Sequence, residues 1–135
     1  GLYILMKSTK KILVDMSATL IHHGHIRLLK KASKFGKVIV ALTKDVEIKK
    51  YKGYHPELNF KYRKEILQSI KYVDKVIPTN FLVTDNFLKK NKINFLVHGN
   101  DNKNIITKSK IIIFKRTKNI SSTILRKKSC KCLKK

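Results

Sequence analysis

Three imidazoles crowd four consecutive positions of this sequence, His22-His23-Gly24-His25. His22 and His25 stand three apart, so on a first helical turn they share a face. Gly24 removes a side chain where a ligand must approach the backbone. A helix starting here adds free N–H groups and the positive end of its dipole, and together these make a phosphate cradle. Far downstream, Arg116 lies just before a second predicted helix start at Ser121 and Ser122; the chain holds only three other arginines, Arg27, Arg63 and Arg126. The two serine hydroxyls can bond phosphate oxygens and can equally cap that helix.

The elements that must position these groups alternate between short apolar, β-branched runs and helical patterns, as in a parallel α/β sheet. KILVDM (Lys11 to Met16) reads as strand one, followed by a helix over His25 to Phe35 with Gly36 as its C-cap. KVIVALT (Lys37 to Thr43) is apolar on both faces and reads as an interior strand. Asp45 to Leu58 lacks clear periodicity and reads as a long loop, of the kind that serves as a binding or lid segment. Asn59 is a predicted N-cap for a helix through Ile70. Strand three is Val73 to Ile77, stopped by Pro78; a helix over Asn86 to Lys90, strand four over Ile93 to Val97, strand five over Lys110 to Lys115 and a last helix follow. The expectation is one α/β, doubly wound, Rossmann-like domain with a five-stranded, mostly parallel sheet over residues 11–128. It is flanked by an N-terminal extension (1–10), in which Met6 is read as the native start, and a basic C-terminal tail (129–135). In such sheets ligands bind beyond the carboxyl ends of the strands, which is where the histidine turn falls.

Bulk properties narrow the class. Lys and Arg total 32 against 8 acidic residues, a formal net charge of +24 that attracts any polyanion. The lysines are scattered through the chain without Arg-Gly or aromatic-basic repeats, so they read as a solvated basic surface, and no specific nucleic acid is expected. No run approaches the roughly 20 apolar residues of a membrane helix. Cys130 and Cys132 have no second Cys or His pair to complete a metal site. They read as reduced thiols on the tail of a cytoplasmic protein.

TLIHHGHIRL (Thr19 to Leu28) resembles the HxGH signature of the nucleotidyltransferase superfamily, and three further segments in the same order resemble its cytidylyltransferase branch. These are KYVDKVIP (Lys71 to Pro78), VHGNDN (Val97 to Asn102) and RTKNISST (Arg116 to Thr123). The resemblance covers residues 11 to about 128. It departs from the family pattern at Thr19, where relatives carry Asp; at Asn102, where they carry Trp; and at Asn119, where they carry Gly. Asn tolerates a positive φ better than most residues, so the turn at Asn119 is expected to survive.

The resemblance implies transfer of CMP from CTP to a small phosphate- or phosphonate-bearing acceptor, with Mg²⁺ accompanying the triphosphate and pyrophosphate leaving. It implies catalytic roles for His22, His25, Lys52 and Arg116. Nucleotide contacts would come from Met16, Ser17, Ala18, Gly24, Lys71, Gly99, Asp101, Thr117, Ile120, Ser121 and Ser122, with no protein metal ligand. Asp101 would accept from the cytosine amino group, and Lys71 would touch the nucleotide or support a homodimer. Arg63 reads as a helix-borne structural or phosphate contact. ISSTILR (Ile120 to Arg126) also fits adenylyl-transferring relatives, which keeps ATP as the alternative donor.

Overall fold

Each of the five β-branched runs forms a strand in the structure, a computed structural model that describes residues 10–99, 104, 106–107 and 110–133. The strands are β1 (Lys11–Met16), β2 (Lys37–Thr43), β3 (Lys75–Thr79), β4 (Phe95–Gly99) and β5 (Ile111–Phe114). Every pairing is parallel, and the order across the sheet is β3-β2-β1-β4-β5. The sheet is thus wholly rather than mostly parallel. It grows one way from β1 to β3 and the other way through β4 and β5. The switch point lies between the carboxyl ends of β1 and β4, and a crevice for ligands opens there.

Both faces of the sheet are covered, which explains why its strands are apolar on both sides. Ile12, Val14, Val38, Val40 and Val97 face one core with Leu29 and Ala32 of α1 (His23–Ser33) and Leu67 of α3 (Phe60–Gln68). Their sequence neighbours Leu13, Ile39 and Leu96 face the other core, against Val83, Ile93 and Leu88 of α4 (Asp85–Lys90). The period of two sorts each strand between two helical layers.

Several boundaries differ from expectation for identifiable reasons. The supposed loop over Asp45 to Leu58 opens with a helix, α2 (Asp45–Lys52). Its eight residues bury only Ile48, too little to leave a periodic signature. Gly53 (φ +81°) ends it in the left-handed conformation that glycine adopts at no steric cost. Asn59 caps α3 as expected, its Oδ1 accepting from the Tyr62 N–H at 3.2 Å. Pro78 does not stop β3 but pairs with Leu42 inside it; β3 is an edge strand, where a missing N–H is tolerated. Gly36 is not the C-cap of α1, a place taken by Lys34. A Cβ at Gly36 would instead run into the backbone of Lys10, whose carbonyl accepts from the Lys37 N–H at 2.8 Å. The supposed tail is largely helical, because α5 (Ser122–Leu133) runs through Cys130 and Cys132, both exposed.

Candidate active site

A cavity of about 330 Å³ opens at the switch point. It brings together Met16, Ser17 and Ala18 after β1, His22, Gly24 and His25 at the start of α1, and Lys52 at the end of α2. Gly99 closes β4 on its wall, and Arg116, Thr117, Ile120, Ser121 and Ser122 come from the approach to α5. Nearly all the expected site residues therefore share one space, although the histidine turn and the α5 segment are far apart in sequence. Two do not join it. Asp101 lies outside the described residues, as does the departure at Asn102. Lys71 follows α3, which returns the chain to the amino-terminal edge of the sheet, the opposite edge from the cavity; its ammonium sits over the Tyr72 ring.

The histidine turn is held by its own backbone. His22 is the N-cap of α1, and its Nδ1 accepts from the Gly24 N–H at 3.0 Å. The Nδ1 of His25 accepts from the His22 N–H at 3.1 Å, completing a capping box built from two imidazoles. A ring nitrogen that accepts from a backbone N–H carries no proton, so each neutral ring keeps its proton on Nε2. Burial pushes the His25 pKa from 6.5 down to about 3, helped by the charges of His22, Arg116 and Lys52. Burial also lowers that of His22, with His23 and Arg116 adding to it. Both rings are thus neutral donors at physiological pH, their centroids 4.0 Å apart. Gly24 is required sterically: a Cβ there would lie 2.8 Å from His22 Cε1 and 3.3 Å from Ile120 Cγ2.

The facing wall is a second helix start. Asn119 has φ +63°, as its tolerance for that region led us to expect. The Ser121 hydroxyl accepts from the Ile124 N–H at 3.0 Å, so Ser121 is the cap of α5, and its own proton remains for a ligand. Ser122 differs. Its hydroxyl donates to the Leu20 carbonyl at 2.9 Å and accepts from the Leu20 N–H at 3.2 Å, stapling α5 to the loop after β1. Its one proton is spent on that staple.

Thr19 is buried, and its Oγ1 accepts from Arg126 Nη2 at 3.1 Å. Arg126 also pairs with Glu57 and lies 4.3 Å over the Tyr54 ring, so it clasps the α2–α3 connection to α5. The hydrogen bond from Arg126 is the main cause that holds the Glu57 carboxyl below its usual range.

A third feature escaped the sequence reading. Asp15, at the end of β1, lies 2.5 Å from His98 Nδ1 on β4 and accepts from the Asn104 amide at 2.9 Å. Asn104 in turn accepts from the Val83 N–H at 2.6 Å, so the cluster ties the two switch-point strands to the segment before α4. All three of its side-chain members reach the cavity wall. The available signal was an acid inside an apolar strand and a histidine at the end of another, both at the carboxyl edge. Among the described residues no group of three or more His, Cys, Asp or Glu is placed to hold a metal ion. Among the same residues no helix is long and apolar enough to cross a membrane.

Comparison with known proteins bears on the whole of this architecture. Residues 17–128 match the family model described as cytidylyltransferase-like. Glycerol-3-phosphate cytidylyltransferase of Staphylococcus aureus is 34% identical, with 84% of this chain and 90% of that protein aligned. Ethanolamine-phosphate cytidylyltransferase of mouse is 36% identical over 67% of this chain and 23% of its own length. A solved structure of the lipopolysaccharide core biosynthesis protein from Thermoplasma volcanium superposes with a TM-score of 0.68. It covers 80% of this chain and 98% of its own at 19% identity, a likeness of fold.

Proposed function

The chain belongs to the cytidylyltransferase-like family of nucleotidyltransferases, and from that premise we propose that it moves CMP from CTP to a small acceptor bearing a phosphate or phosphonate, with release of pyrophosphate. The observation that carries the reading is the pair of neutral imidazoles, each with its proton on Nε2, facing Arg116 and the start of α5 across one cavity. An ionised oxygen of the acceptor attacks the α-phosphorus; a new P–O bond forms as the bond to the β-phosphate breaks, and pyrophosphate leaves with the electron pair. The nucleophile is already ionised at neutral pH, so no general base is needed. Catalysis consists of positioning and of stabilising charge on phosphate oxygens.

His22 and His25 supply preorganised donors that need not gain or lose a proton. Arg116 and Lys52 supply fixed charge, and Ser121 a hydroxyl beside a helix N-terminus. Mg²⁺ fits this site as a passenger of the triphosphate. The described cavity wall offers one carboxylate, Asp15, already bonded by His98 and Asn104, while phosphate and water oxygens are the hard ligands that Mg²⁺ prefers. The choice of CTP over ATP is supported by the resemblance of VHGNDN (Val97 to Asn102) to the cytidylyl branch and by the names of the relatives.

A thermal-shift panel of CTP, ATP, UTP and GTP with Mg²⁺ tests the donor, since a ligand at a hundred times its Kd stabilises the fold by about 2.7 kcal/mol. Pyrophosphate release with glycerol 3-phosphate or ethanolamine phosphate, abolished by His25→Ala, then tests the reaction. Turnover of ATP and not CTP overturns the choice of base. The proposal includes a homodimer, supported by Tyr62 (49% exposed) and Ile66 (40% exposed) on one face of α3; a monomer mass in sedimentation equilibrium would refute it.

A further inference from the structure

Arg63 is the largest fully buried side chain in the described structure, at 0% exposure, and it does not line the cavity. Its guanidinium makes four hydrogen bonds to three separate segments. Nε donates to the Leu58 carbonyl at 3.0 Å and Nη1 to the Ser17 carbonyl at 2.7 Å. Nη2 donates to the Thr43 carbonyl at 3.0 Å and pairs with Asp45 at 2.6 Å. The β1–β2 ladder ends at Met16 and Leu42, so Ser17 and Thr43 stand just past its last rung. Arg63 supplies the missing partners just beyond that last rung.

Two parts of the site depend on those bonds. The Ser17–Ala18 peptide gives its carbonyl to Arg63, and in a trans peptide this turns the Ala18 N–H the opposite way. Ala18 sits at φ +45°, a conformation that a residue with a Cβ avoids unless its surroundings impose it. Asp45 is the first residue of α2, and its other oxygen accepts from the Phe60 N–H at 3.2 Å. Asp45 therefore anchors the helix whose last residue, Lys52, reaches the cavity.

We infer that Arg63 is the positioning residue of the triphosphate site: without touching the nucleotide, its planar fork holds the Ser17–Ala18 turn and the Lys52 helix in register with each other. The inference rests on the nucleotidyltransferase reading above. A lysine in its place keeps the charge but offers three donors from one point instead of five in a fixed fork, too few and too localised for these acceptors.

The test is calorimetric binding of Mg·CTP to wild type, R63K and D45N, with far-ultraviolet circular dichroism and thermal melts on the same samples. R63K, folded at the assay temperature, should bind roughly tenfold more weakly or worse, because a small misplacement of binding groups is costly. D45N, which keeps the fork but loses its charged partner on the surface, should move the same way by a smaller factor, about threefold. A merely structural arginine would lower the melting temperature and leave the affinity of the folded protein unchanged. Wild-type affinity in folded R63K overturns the inference. Should R63K fail to fold, D45N decides it, and wild-type affinity in D45N overturns it equally. A wild type blind to all four nucleotides would instead bring down the proposed function, and this inference with it.

Discussion

Gly24→Ala separates the two things that residue does. A methyl group at this position would stand 2.8 Å from His22 Cε1, 2.9 Å from His22 Nδ1 and 3.3 Å from Ile120 Cγ2. Carbon atoms rest at about 3.5–4.0 Å, so the His22 ring must retreat by roughly 0.7 Å or more. That movement stretches the 3.0 Å bond from the Gly24 N–H to His22 Nδ1, an N-cap contact whose loss costs about 0.5–2 kcal/mol. Against this, Ala in a helix is worth about 1 kcal/mol over Gly. The two effects oppose each other, and the net change in stability should stay within about 1 kcal/mol. Activity has no such compensation. A phosphate donor misplaced by about 1 Å costs on the order of 100-fold, which is about 2.7 kcal/mol of transition-state stabilisation. Urea unfolding should therefore show a nearly unchanged midpoint while kcat/KM, read from pyrophosphate release, falls about two orders of magnitude. A variant with kcat/KM within about threefold of wild type would refute the steric argument. A variant that loses activity only because it has unfolded would refute the separation of the two roles.

The histidines make a second prediction, visible by long-range proton–nitrogen NMR: His22 and His25 should show protonated Nε2 and bare Nδ1 at pH 7, and a ring with its proton on Nδ1 would contradict the capping box. His25 titrates near 3 when folded against 6.5 unfolded, so as pH falls between those values the unfolded chain gains protons first and stability drops. Between pH 6.5 and 5 this group alone should remove at most about 2 kcal/mol, a loss that His25→Asn should abolish. Glu57 behaves with the opposite origin and the same direction: its folded pKa lies below the unfolded one, so its contribution is present above the unfolded value and disappears as pH falls through the folded one. Glu57→Gln should change stability by less than about 1 kcal/mol, because the Arg126 pair is exposed, yet speed amide exchange over residues 54–58; unchanged exchange would deny that Arg126 clasps this connection. Asp15→Ala leaves His98 and Asn104 without their buried acceptor and should cost about 2 kcal/mol in urea unfolding, whereas an unchanged midpoint would show the cluster to be energetically idle.

Much of the fold was legible because it is local. β1 and β2 lie where their apolar, β-branched runs begin and end, Asn59 caps α3, and Asn119 takes the positive φ that only a few residue types accept. The histidine turn announced a helix start, and RTKNISST announced another. α2 stayed hidden because a helix that buries one side chain leaves no period to read. Pro78 misled because only the sheet order shows that its strand lies at an edge.

What the tertiary structure decided is which distant groups meet. Asp15 and His98 are 83 residues apart and Ser122 and Leu20 are 102 apart, yet each pair is bonded because the strand order sets β4 beside β1 and brings α5 across the cavity mouth. The residue types raised the expectation of phosphate binding; the fold shows that the Ser121 hydroxyl only accepts from its helix while Ser122 spends its proton on Leu20, and that Arg63 is buried outside the cavity lining. Helix caps and strand periods are written in neighbouring residues, so they survive in the sequence. A side-chain bond between remote segments follows from topology and packing, and leaves no periodic trace along the chain.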